Sequence, residues 1–135
     1  MSGTDTVPRR SRGNILIIDD SSLVRLYYRE ALVRAGFEVD QAINGLEAIE
    51  KIVAQKFDLA IVDVNMPRMD GLSFVRALRG RELPVASLPA LIISTEATQQ
   101  DRDDARAAGA NYYLVKPVSE ADLVRHVAVL TGSPP

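Results

Sequence analysis

Ile15-Leu16-Ile17-Ile18-Asp19-Asp20-Ser21 and Leu59-Ala60-Ile61-Val62-Asp63-Val64-Asn65 share one pattern, four consecutive apolar residues closed by aspartate. A run that short and uniformly apolar fits a strand buried on both faces, since a one-sided strand alternates and a helix runs longer with a 3.6 period. Between the two runs, Val24, Tyr27, Tyr28, Ala31 and Ala35 recur at helical spacing until Gly36 stops them. Phe37 to Ala42 alternates and reads as an edge strand. After an Asn44-Gly45 turn, Leu46, Ile49, Ile52 and Val53 mark a second helix. Beyond the second run lies a Pro- and Gly-punctuated loop, Asn65 to Gly71. Then come a helix on Leu72, Val75 and Leu78 that ends near Gly80, and a fourth strand, Ala90-Leu91-Ile92-Ile93, after Pro89. The segment Thr98 to Ala108 has helical character but no large apolar residue, so it is expected to dock weakly and to be mobile. Tyr112 to Val115 is the fifth strand, and Leu123, Val124, Val127 and Leu130 stripe the last helix.

Five βα units of this kind predict an α/β fold: a doubly wound parallel sheet of order 2-1-3-4-5, helices on both faces, right-handed crossovers. The expected domain covers residues 14–131, with a flexible tail at 1–13 and a short one at 132–135. The 135 residues are 47% hydrophobic and 25% charged, with 16 basic against 18 acidic side chains, which suits a single packed domain and excludes global disorder. Zero cysteines exclude disulfides and thiolate chemistry. No apolar stretch approaches the ~18 residues a membrane span needs, and the N-terminal stretch lacks a secretory core. A cytoplasmic monomer is expected, with no nucleic-acid or membrane partner at a net charge of −2. Arg9, Arg10 and Arg12 read as part of a solvated tail, and His126, the single histidine, as a surface residue without chemistry.

In such sheets ligands bind beyond the carboxyl ends of the strands, at the switch between strands 1 and 3. The residues placed there are Asp19 and Asp20, Asp63, Ser94 and Thr95, and Lys116 and Pro117. Converging carboxylates repel unless a cation joins them, and oxygen ligands without His or Cys select Mg²⁺ or Mn²⁺. Lys116 offers a point charge and Ser94 a hydroxyl for phosphoryl oxygens. Asp63 ends the central strand and is the expected nucleophile, while the Asp19-Asp20 pair is better placed to hold the ion. Attack by a carboxylate on phosphorus gives an aspartyl phosphate. Helix capping by Asp19, Asp20 and Ser21 is the plain alternative for that pair.

Ile17-Ile18-Asp19-Asp20-Ser21, the stretch Asp63-Val64-Asn65-Met66-Pro67-Arg68-Met69-Asp70-Gly71, Ser94-Thr95-Glu96-Ala97 and Lys116-Pro117, in that order at strand ends, resemble the receiver domain of two-component response regulators. The resemblance runs from about Asn14 to Leu130. It implies Asp63 as phosphoacceptor and Mg²⁺ on Asp19, Asp20, Asp63 and the Asn65 backbone carbonyl, with Lys116 on the phosphoryl group. It further implies Ser94 as a switch hydroxyl, Tyr113 as an aromatic that follows it inward, and a cis bond between Lys116 and Pro117. Asn65, Thr95 and Glu96 occupy positions that modulate the lifetime of the acyl phosphate. Asn65 with Glu96, and Thr95-Glu96-Ala97, are similar to CheY-type chemotaxis receivers. The implied partners are a sensor histidine kinase as phosphohistidine donor and a target protein on the face of helix 4, strand 5 and helix 5.

The function expected from these residues is a stand-alone phosphorylation switch rather than an enzyme, since little chain remains outside the five units. A phosphorelay shuttle or a single-domain regulator outside chemotaxis is the nearest alternative. A Mg²⁺-dependent phosphatase working through an aspartyl phosphate ranks lower, because its second carboxylate, the acid and base of that chemistry, is replaced by Asn65. A nucleotide or flavin binder ranks lower again, since Asp19 to Val24 holds no glycine to cradle phosphate.

Overall fold

The computed structural model describes residues 11–133. Its elements are β1 (Asn14–Ile18), α1 (Ser22–Arg34), β2 (Glu38–Ala42), α2 (Gly45–Ala54), β3 (Leu59–Val62), α3 (Gly71–Arg79), β4 (Ala90–Ser94), α4 (Gln99–Ala108), β5 (Tyr112–Val115) and α5 (Glu120–Thr131). The five strands are parallel in the order β2-β1-β3-β4-β5. That is the doubly wound sheet the apolar runs predict. Of the tails expected at 1–13 and 132–135, residues 1–10 and 134–135 lie outside the described residues.

The apolar runs need no alternation because the sheet is covered on both sides, and the period of two within each run assigns its residues to opposite faces. Leu16, Ile18, Ala60, Val62, Ala90 and Ile92 pack under α2 and α3. Ile15, Ile17, Leu59, Ile61, Leu91 and Ile93 pack under α1 and α5, against Leu32, Leu123 and Val127. Each helix follows the carboxyl end of a strand, and each is started by a polar cap whose oxygen accepts a main-chain N–H in the first turn. The caps are Ser21, Asn44, Asp70, Thr98 and Ser119.

The long connection from α3 to β4 contains features the residue pattern did not announce. A 3₁₀ turn spans Val85–Ser87, and the Leu83-Pro84 bond is cis. Arg79 secures this connection, donating to the carbonyl oxygens of Ala86 (2.9 Å), Leu88 (2.7 Å) and Gly109 (3.0 Å) and to Asn111 Oδ1 (2.8 Å). In α4 only Ala105 and Ala108 are buried, in keeping with its lack of large apolar residues. Phe37 belongs to the core just ahead of β2 rather than to the strand itself.

Candidate functional site

The parallel register brings the strand ends to one edge. β1 delivers Asp19 directly, its N–H donating to the Ala42 carbonyl at 3.1 Å, and the Asp63 N–H donates to the Ile18 carbonyl at 3.0 Å, so the two aspartates sit side by side across β1 and β3. One carboxylate oxygen from each of Asp19, Asp20 and Asp63 lies within 4.8 Å of the other two. From the other side, the Lys116 N–H donates to the Ser94 carbonyl at 2.7 Å, and Lys116 Nζ stands 3.6 Å from Asp63 Oδ1 and 3.8 Å from Asp19 Oδ2. The Lys116-Pro117 bond is cis, as the resemblance implies.

The loop after β3 holds Asp63 by close backbone packing. Gly71 N–H donates to the Val64 carbonyl at 2.9 Å, and a Cβ on Gly71 would lie 2.2 Å from the Asp63 carbonyl oxygen, closer than any atom can sit. Glycine is therefore required there by contact alone. Arg68, in the same loop, adopts φ 71°, a left-handed conformation uncommon for a residue with a side chain.

Asp19 and Asp63 are buried, Asp20 is exposed. Burial pushes the Asp63 carboxyl above its ordinary value, and the neighbouring Asp19 adds to this while Lys116 opposes it. Asp19 is raised for the same first reason, against the Ser21 N–H that its carboxylate accepts at 2.9 Å. Tyr28, buried on α1, is also raised, by burial and then by the two carboxylates. Three carboxylates against one ammonium leave the cluster short of positive charge, and the donor set is oxygen only. That composition fits Mg²⁺ or Mn²⁺, which bind through a few carboxylates and keep open positions.

The remaining expected residues surround this centre. Ser94 is buried, and its Oγ accepts the Glu96 N–H at 3.0 Å. Thr95, Glu96 and Asn65 are exposed around the mouth. Tyr113 is half-buried; its hydroxyl donates to the Glu96 carbonyl at 2.7 Å and the Arg102 guanidinium lies over its ring at 5.3 Å. Beside the carboxylates opens a largely apolar cavity of about 520 Å³, walled by Leu23, Tyr27, Tyr28, Thr95, Lys116 and Pro117. His126 rests against Tyr112, ring centroids 5.2 Å apart, on α5 and apart from the strand-end cluster.

Two residues of this neighbourhood carried no signal in the sequence. Arg25, on α1, donates from Nη1 to the Asp19 carbonyl at 2.7 Å and from Nε to Gln41 Oε1 at 2.9 Å. An arginine early in a helix reads as a solvated charge. Tyr28 fell in the apolar stripe of α1, where periodicity shows burial and not proximity to carboxylates.

A parallel sheet of this order, with carboxylates and one lysine at its switch point, defines a doubly wound α/β domain with an acidic strand-end site. Residues 15–128 match the response regulator receiver domain, and the chain belongs to that family. It is 38% identical over 120 residues to the transcriptional regulatory protein PrrA of Mycobacterium leprae, covering 89% of this chain and 50% of that protein. It is 37% identical over 117 residues to the sensor protein EvgS of Escherichia coli, covering 87% of this chain and 10% of that one. The chain thus spans half or less of these curated relatives. Among solved structures, the chemotaxis protein CheY4 of Vibrio cholerae superposes with a TM-score of 0.81 at 35% identity, covering 87% of this chain and 97% of CheY4. The receiver domain of the sensor histidine kinase PA1611 from Pseudomonas aeruginosa, solved with a magnesium ion coordinated in its active site cleft, gives 0.82 at 29% identity, covering 90% of this chain and 98% of that one.

Proposed function

We propose that this chain takes a phosphoryl group on Asp63 from the phosphohistidine of a sensor histidine kinase in the cytoplasm, and that the modification changes which protein it binds. The convergence of Asp19, Asp20 and Asp63 within 4.8 Å, answered by Lys116, carries this reading. Asp19, Asp20, Asp63 and the Asn65 carbonyl would hold Mg²⁺, which when bound supplies charge neutralisation for the transferring phosphoryl oxygens. An Asp63 oxygen bonds to phosphorus as the donor P–N bond breaks, and the released imidazole nitrogen takes a proton. Lys116 balances charge on the phosphoryl group, and Ser94, leaving the Glu96 N–H, donates its hydroxyl to a phosphoryl oxygen. Asn65, Thr95 and Glu96 at the mouth set how water reaches the acyl phosphate. The chain's catalysis extends to its own phosphorylation and dephosphorylation, and the Asn65 amide does not titrate, so it cannot serve as the general acid and base a phosphomonoesterase would use.

Both partner faces have supporting features. Leu23, Leu26 and Tyr27 are exposed along α1 beside the cavity at the site, a surface suited to a donor helix. On the face of α4, β5 and α5, Tyr112 and Val129 are exposed apolar groups, and Tyr113 links that face to Glu96. Removing the Ser94 hydroxyl from the Glu96 N–H frees the main chain that Tyr113 also holds, which connects the site to the face. The likeness to CheY4 supports a chemotaxis output; the likeness to PrrA and EvgS supports transcriptional or phosphorelay output.

Titration with beryllofluoride and Mg²⁺, read by tyrosine fluorescence and amide NMR shifts, tests the site. The wild-type spectrum changes and that of Asp63→Asn does not; silence in the wild type, or an equal change in the variant, overturns the reading. Capture of flagellar switch components by the activated form alone supports chemotaxis. Their failure to bind it points to the alternative outputs.

A further inference from the structure

The corner that carries the first two carboxylates is held unevenly. Asp19 is fixed through its N–H to Ala42, its Oδ1 to the Ser21 N–H, and its Oδ2 facing Lys116. Asp20 is exposed, and no described residue bonds its carboxylate. Where that carboxylate points therefore depends on the peptide unit joining it to Asp19. The oxygen of that peptide accepts Arg25 Nη1 at 2.7 Å. The same guanidinium is anchored at Nε by Gln41 Oε1, 2.9 Å away on β2, so two nitrogens of a rigid fork tie α1, β2 and the Asp19-Asp20 peptide together.

We propose that Arg25, oriented by Gln41, is a positioning residue that fixes the Asp19-Asp20 peptide so that Asp20 can share a divalent cation with Asp19 and Asp63. The inference rests on the metal-dependent reading of the site given above. It makes a prediction opposite in sign to simple electrostatics. A guanidinium beside a carboxylate cluster competes with a cation, so deleting its charge alone would tighten Mg²⁺ binding. Deleting a group that orients a ligand weakens it, by a factor of about 10–100 in metal sites generally.

Calorimetric titration of the unphosphorylated full chain with Mg²⁺ separates the two. Arg25→Met is expected to weaken binding about tenfold, and Gln41→Leu, which keeps the charge, by a smaller factor. In an Asp20→Asn background, Arg25→Met is expected to change affinity less than about twofold, because the ligand it orients is already gone. Tighter or unchanged binding in a folded Arg25→Met protein overturns the proposal, as does an equal loss in both backgrounds. If the methionine variant fails to fold, Arg25→Lys replaces it. Lysine keeps the charge but cannot make both bonds, so an intermediate loss supports the proposal and full wild-type affinity overturns it. Absence of Mg²⁺ binding by the wild type overturns the underlying metal reading, and this inference with it.

Discussion

Asp63 is buried between another carboxylate and an ammonium, and its stability signature follows from that position. Its folded-state pKa is raised above the ordinary 3.8, so the folded protein holds this proton more tightly than the unfolded chain. The linkage sign is then fixed: the contribution is fully present below the unfolded value and is lost as pH rises through the folded one. In metal-free protein, thermal melts compared across pH 4 to 8 are expected to show the wild type losing stability relative to Asp63→Asn as pH rises. A constant difference across that range contradicts the account. Mg²⁺ should close the gap by occupying the cluster. The convergence of the aspartates, Ser94 and Lys116 on one edge was legible because a strand end is a fixed address in a parallel sheet. Arg25 was not, since a bond to a main-chain oxygen leaves no trace in residue type or spacing.

Among the elements, α4 carries the clearest consequence. Its buried residues are Ala105 and Ala108, whereas α3 buries Phe74, Val75 and Leu78 and α5 buries Leu123, Val127 and Ala128. Each large apolar side chain fully buried contributes roughly 1.5–3 kcal/mol, so α4 has far less holding it to the sheet. Its good capping box, Thr98 with Asp101, stabilises the helix itself without docking it. Amide hydrogen exchange is expected to be fastest in α4 among the helices and to slow on beryllofluoride activation; protection in α4 equal to that of α3 contradicts this. The weak docking could be read from composition because it is an absence of large residues. The connection from α3 to β4 could not: its 3₁₀ turn is organised by Arg79, whose partners are main-chain carbonyl groups that residue type and spacing do not mark.

At the scale of the whole molecule, strand order was readable because few topologies accommodate consecutive buried strands, and the apolar runs at Ile15 and Leu59 identify those strands directly. Output was less readable, since the same kind of sheet recurs in relatives of different kinds. The relatives illustrate this: PrrA, EvgS and CheY4 share this unit within proteins of different lengths and names. The central claim is common to every output, namely a single Mg²⁺-dependent transfer of a phosphoryl group to Asp63. Intact-mass spectrometry after incubation with acetyl phosphate tests it most directly. The account predicts one phosphoryl adduct per chain with Mg²⁺, none after chelation and none in Asp63→Asn; an adduct that persists without the metal or in the variant would contradict it.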